Sequence, residues 1–80
     1  MFVVIDDHLV DYSEDEKPQR YTFGNGIAGV VGKSHKEIAI TSWSNDPYYN
    51  PIVDINTTSS IIAFPIMSDE KDEILAVMEV

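Results

Sequence analysis

Runs of apolar, β-branched residues gather toward the two ends of the chain, each bounded by polar turns. Phe2-Val3-Val4-Ile5-Asp6 reads as a strand closed by Asp6-Asp7-His8, with Leu9-Val10-Asp11-Tyr12 as its antiparallel return. Arg20-Tyr21-Thr22-Phe23 alternates polar and aromatic positions, the pattern of a half-buried strand. Ile61-Ile62-Ala63-Phe64-Pro65-Ile66 and the run from Ile74 to Val80 flank Ser68-Asp69-Glu70-Lys71-Asp72-Glu73, which predicts an antiparallel hairpin. Pro65 cannot donate to a ladder and belongs at a bulge or a sheet edge.

The middle of the chain carries a different pattern. Gly26 to Lys33 predicts a short helix with Ile27, Val30 and Val31 on its buried side. Gly29 and Gly32 each weaken that helix by about 1 kcal/mol relative to alanine. Glu37-Ile38-Ala39-Ile40 reads as extended. In Ser44-Asn45-Asp46-Pro47, Asp46 can cap and Pro47 suits a first helical position, and Asn50-Pro51 repeats the signal. Two short helical turns with a break, ending near Asp54, are expected. Strands in antiparallel pairs with short helices inserted between them predict an α+β fold with one antiparallel sheet, not a βαβ fold.

Size sharpens this picture. At 80 residues there is room for one small domain, and only about 60% of the unfolded chain's surface is buried at that length. There is no cysteine, so neither a disulfide nor a thiolate metal site supplements the core. The strand patterns start directly after Met1 and run to Val80, which predicts that residues 1–80 are part of a larger domain whose sheet is incomplete at both ends.

Charge excludes some partners. Fourteen acidic against five basic residues give a net charge of −9. General binding to nucleic acid or to an anionic membrane needs a basic face, which this composition does not supply. A small anionic ligand stays compatible, because local backbone amides can outweigh global charge. No apolar run approaches the roughly 20 residues of a membrane-spanning helix, and Phe2 to Ile5 is too short for a signal peptide. A cytoplasmic protein is expected.

All four glycines fall within Gly24-Asn25-Gly26-Ile27-Ala28-Gly29-Val30-Val31-Gly32, whose first six residues satisfy G-x-G-x-x-G. A dinucleotide turn requires a buried parallel strand before it, a long helix after it and an acid about 20 residues on. Asp46 meets the last condition, but the strand is too polar and the helix too short. Nor is the run a P-loop, since Gly32-Lys33-Ser34 lacks the glycine five residues earlier. The structural reading is a tight turn with positive φ at Gly24 and Gly26, and a helix that Gly29 and Gly32 let lie close to a sheet. A helix N-terminus so built also presents free amides, at Ile27 and Ala28, that favour an anion or a polar ligand edge.

The order of several blocks resembles a GAF domain. They are Gly24-Asn25-Gly26-Ile27-Ala28-Gly29, Ile38-Ala39-Ile40, Asp46-Pro47-Tyr48-Tyr49-Asn50, Val53-Asp54, Ala63-Phe64-Pro65-Ile66 and Glu73 to Val80. The nearest flavour is that of cyclic-nucleotide phosphodiesterases and cyclases. The resemblance implies a GAF-like antiparallel sheet with short helices and loops roofing a ligand pocket on one face. It implies a regulatory module that senses a small molecule, with cyclic GMP or cyclic AMP as the favoured ligand and no further cofactor. Binding would couple to an output domain outside this segment. The backbone amides of Ile27 and Ala28 would contact the ligand, and Asp54, Thr57 and Glu79 would add polar contacts. A GAF domain that has lost its ligand and serves in assembly or dimerisation is the alternative.

The individual residues carry plainer readings beside these. Asp54 reads first as a structural or capping carboxylate and second as a ligand contact. Glu79 reads equally as a solvent-facing strand residue. Trp43, Tyr48 and Tyr49 read as core or roof before ligand stacks. His8 and His35 have no metal-ligand spacing, and no Ser-His-Asp or Cys-His arrangement supports nucleophilic catalysis, so an enzyme is not expected.

Overall fold

The structure is a computed structural model, and it describes residues 1–12, 17–41, 46–55, 60–70 and 72–80. Six strands and one helix are present among them: β1 (Phe2–Ile5), β2 (His8–Asp11), β3 (Gln19–Thr22), α1 (Gly26–Ser34), β4 (Ile38–Ile40), β5 (Ile61–Met67) and β6 (Ile74–Glu79). They form one sheet in the order β3-β2-β1-β6-β5-β4, antiparallel at every junction. The α+β reading is therefore correct, and the two terminal strand patterns pair directly, Phe2 with Val77 and Val3 with Ala76.

Local chemistry explains the strand boundaries. Ile5 pairs with His8, so Asp6 and Asp7 form a two-residue turn, and both have positive φ, 52° and 59°. That is the type I′ hairpin geometry, in which short polar side chains are tolerated at positive φ. Pro65 lies inside β5 and not at an end. Ile62 and Val80 exchange both backbone hydrogen bonds, at 3.0 and 2.9 Å. Alternation along an antiparallel ladder makes Pro65–Val77 a pair without such bonds, so the missing N–H faces away from β6. On that side β4 pairs no further than Ala63, and Pro65 stands at an open edge.

One face of the sheet is covered. α1 packs on β5 and β6, and Ile27, Ala28 and Val31 join Phe2, Leu9, Val53, Ile61, Ala63 and Val77 in a single core. Gly32 brings α1 down onto Phe23 and Leu9, as a Cβ there would stand 3.0 Å from the Phe23 ring. By the strand register, the opposite face carries Val10, Val3, Ala76 and Ile66 in one row, with Ile5 and Ile62 beyond it. Ile5, Ile62 and Ile66 are exposed, and no described element covers that face.

Residues 46–54 make two short turns with a break, as expected: Tyr49 N donates to Asp46 O at 3.3 Å, and Val53 N and Asp54 N donate to Asn50 O at 3.0 and 2.8 Å, but neither turn extends into an α-helix. Asp46 and Asn50 do cap, their side-chain oxygens accepting from the amides of Tyr48 (2.8 Å) and Ile52 (3.0 Å). Propagation fails because Pro51 has no N–H to offer Pro47 four residues back, and its ring would strike that carbonyl. No described helix is long and apolar enough to cross a membrane.

Candidate functional site

α1 starts without a cap of its own. Asn25 at the N-cap position makes no side-chain capping bond, and the first turn holds no acid. The first amides of a helix need partners from elsewhere. Asp54, 26 and 27 positions away in sequence, supplies them: Oδ2 accepts from Ile27 N at 2.7 Å and Oδ1 from Ala28 N at 2.9 Å. Oδ2 also accepts from Asn50 N at 2.8 Å. Asp54 is held in place by its own turn, donating its N–H to Asn50 O at 2.8 Å.

Gly26 makes this approach possible. Its φ is +73°, and a Cβ there would stand 2.7 Å from Asp54 Oδ2. Positive φ and the lack of a side chain are thus both required at one residue. Gly29 is needed for a second close approach, its Cβ position lying 2.9 Å from Gly24 N of the preceding turn.

Glu79 lies at the end of β6 on the covered face, opposite Ala63. It is 8% exposed. Its Oε1 accepts from Ile55 N at 3.0 Å, its Oε2 is buried, and the protonated carboxyl hydrogen-bonds with Asp54. Burial pushes the Glu79 carboxyl up to about 8. The neighbouring Asp54 adds to the rise, and the Ile55 amide and the Met1 amino group oppose it.

These residues meet at a cavity of about 290 Å³ bounded by Phe2, Asp11, Val53, Asp54, Ile55 and Glu79, among others. Two other depressions lie along the turns at residues 67–75 and at Asp6-Asp7, His35 and Asp72. Their acids are exposed, whereas Asp54 and Glu79 are buried. Buried ionisable groups facing a cavity are the stronger sign of a site. Among the described residues no group of three or more His, Asp or Glu side chains is placed to hold a metal ion.

The structure brings Ile27, Ala28, Asp54 and Glu79 together as the sequence grouped them. Thr57 and Trp43 lie outside the described residues. Tyr48 is 56% exposed and does not fill the cavity. The amides of Ile27 and Ala28 are not open but engaged by Asp54. Sequence reasoning missed the Asn50 and Ile55 amides and the place of Asp11 at the cavity wall. The pairing of Phe2 with Asp11 could have signalled the last of these, since it sets Asp11 on the core face. Compared with protein-family models and with curated proteins, the chain matches none.

Proposed function

We propose that this chain is the central part of a GAF-like regulatory module that senses a small molecule and is not itself catalytic. The ligand site is the cavity between the N-terminus of α1, the turn at residues 50–54 and the end of β6. The observation that supports this most is the pair of buried carboxyls, Asp54 and Glu79, side by side at the cavity, with Glu79 pushed up to about 8. Buried, perturbed carboxyls gathered at a cavity mark a binding site more often than a packed core. Ligand binding would act on the turn at residues 50–55, which hangs from α1 through Asp54 and from β6 through Glu79, and pass to an output domain. The absence of cysteine fits a cytoplasmic setting.

Cyclic GMP or cyclic AMP is the ligand that the GAF resemblance implies. Its phosphodiester would compete with the Asp54 carboxylate for the amides of Ile27 and Ala28. Calorimetric titration of both nucleotides into the full chain tests this. Heat that saturates at millimolar ligand or below, and that Lys33→Ala on the exposed side of α1 leaves unchanged, supports the nucleotide. No heat with folded protein removes it.

Assembly is the second reading, favoured by the uncovered apolar face that carries Ile5, Ile62 and Ile66. An uncovered patch of that kind marks interaction surfaces. Sedimentation of the wild type and of Ile62→Lys tests it: assembly requires an oligomer that the lysine dissociates.

A further inference from the structure

We propose that Asp54 and Glu79 form a proton-bridged latch that closes the turn at residues 50–55 onto the sheet, and that loss of the bridging proton opens the Ile55 end of that turn. The device needs no small-molecule ligand, so it goes beyond the sensing reading and stands without it.

The latch follows from the hydrogen-bonding capacity of the two side chains. A carboxylate offers about four acceptor positions on its two oxygens. The amides of Ile27, Ala28 and Asn50 occupy three of those on Asp54. The fourth partner is the carboxyl of Glu79, which hydrogen-bonds with Asp54. Two carboxyls bond to each other only while one of them keeps its proton. Glu79 is the one that keeps it, because burial and the adjacent Asp54 raise it to about 8. Its O–H donates to Asp54 while its Oε1 accepts from Ile55 N at 3.0 Å. One protonated side chain on β6 thus holds two successive residues of the turn.

The groups around Glu79 decide what moves when the proton leaves. The turn brings Asp54 and the Ile55 amide, and the Met1 amino group before β1 acts on Glu79 with the opposite sign to Asp54. β2 brings Asp11 to the wall of the same cavity. The first turn of α1 brings no acid, and β5 brings only Ala63, the register partner of Glu79. Ionisation therefore sets two carboxylates against each other at a wall that already carries Asp11. Asp54 is fastened by three amides and Glu79 by one, so Glu79 yields and Ile55 N loses its acceptor. The rest of the turn stays attached, through Asp54 to α1 and through the Tyr21 hydroxyl to Ile52 O at 3.2 Å. The Tyr49 hydroxyl, 3.5 Å from Ile55 O, links Ile55 only to the preceding turn. Ile55 lines the cavity, so its release opens the wall at that point. The latch is closed below a pH of about 8 and opens as the pH rises through that value.

The experiment follows the isotope-labelled full chain by NMR between pH 6 and 9. The Glu79 carboxyl carbon should titrate near 8. Protection of the Ile55 amide, taken relative to an unstructured amide at the same pH, should fall about tenfold through the same midpoint, the loss of one such hydrogen bond. The amides of Ile27, Ala28 and Asn50, and that of Ile62 within the sheet, should keep their protection. Glu79→Gln carries an NH₂ that can donate to Asp54 and an oxygen that can accept from Ile55 N, and neither titrates. It should hold Ile55 protected across the whole range, whereas Asp69→Asn, at an exposed position of the β5–β6 turn, should behave as the wild type. A Glu79 carboxyl that titrates near its ordinary 4.5, or an Ile55 amide that does not respond as Glu79 titrates, overturns the latch in the wild type alone. A fall that Glu79→Gln shares overturns it too. So does an equal fall at Ile62, which would mean that the whole sheet loosens.

Discussion

Replacing Asp54 by asparagine tests whether this carboxylate holds the roof onto the helix. The carboxylate accepts three backbone hydrogen bonds through two oxygens, all between 2.7 and 2.9 Å. Asparagine keeps one oxygen. Set at the Oδ2 position, it retains the Ile27 and Asn50 amides as neutral bonds and turns its NH₂ against the Ala28 N–H. A charge-assisted bond contributes about 1.5–3 kcal/mol and a neutral one about 0.5–1.5 kcal/mol, so two bonds lose roughly 1 kcal/mol each. The third is lost and leaves a buried donor unmatched, for about 1.5–3 kcal/mol more. Loss of the negative charge at the helix N-terminus removes a further ~0.3–1 kcal/mol. Neighbouring terms do not add fully, which brings the expected loss to about 3–4 kcal/mol. For a domain of this size that lowers Tm by roughly 12 °C or more. Urea and thermal unfolding followed by circular dichroism measure it directly. A loss below about 1 kcal/mol, within the range of an ordinary surface change, would refute the role assigned to Asp54.

Two further predictions follow from the same site. Glu79 is raised to about 8 from an ordinary 4.5, so between those values the folded chain holds a proton that the unfolded chain has released. Its contribution is therefore full below pH 4.5 and is lost as pH rises to 8. The ceiling is about 5 kcal/mol at 1.36 kcal/mol per tenfold, and water reaching the open cavity reduces it to about 2–3 kcal/mol. Urea unfolding between pH 5.5 and 8.5 should show that decline in the wild type and a flatter profile in Glu79→Gln; equal slopes would remove the assignment. Gly26→Ala should cost about 3 kcal/mol or more, because strain at φ +73° is joined by collision with Asp54. Gly24→Ala, with φ +93° and no neighbour within 4 Å, should cost only the strain of about 1–2 kcal/mol, and thermal unfolding of the two variants compares them.

The sheet was legible because its signals are local. Alternation, the Asp6-Asp7 turn and the acidic turn between the last two strands each act over a few residues. The short helix was legible from Ile27 and Val31, although its three glycines make it a poor helix in isolation. The 46–54 stretch was legible as two short turns with a break, because its caps and prolines start turns and a second proline four residues after the first blocks propagation. The site was half legible. The grouping of Ile27, Ala28, Asp54 and Glu79 came from motif order, but whether the two amides were open depended on a contact spanning more than 25 residues. Nothing in the spacing of the glycines says which carboxylate will reach them.

That contact changes what the glycine-rich turn is for. A helix whose N-cap side chain makes no bond and whose first turn lacks an acid needs an external carboxylate, and the turn at residues 50–54 provides one. The turn has no regular structure to stabilise it; the Tyr21 hydroxyl holds Ile52 O at 3.2 Å, and two carboxyls supply the buried ties. Asp54 ties it to α1 and to its own Asn50, and Glu79 ties the next residue, Ile55, to β6. The two ties are coupled, because Asp54 helps keep the proton on Glu79. An anion that displaced Asp54 from the amides would free the turn from α1 and remove part of what raises Glu79. Amide exchange at Ile27, Ala28 and Ile55 tests this: an anion that displaces Asp54 exposes the first two and leaves the third, held by Glu79, protected.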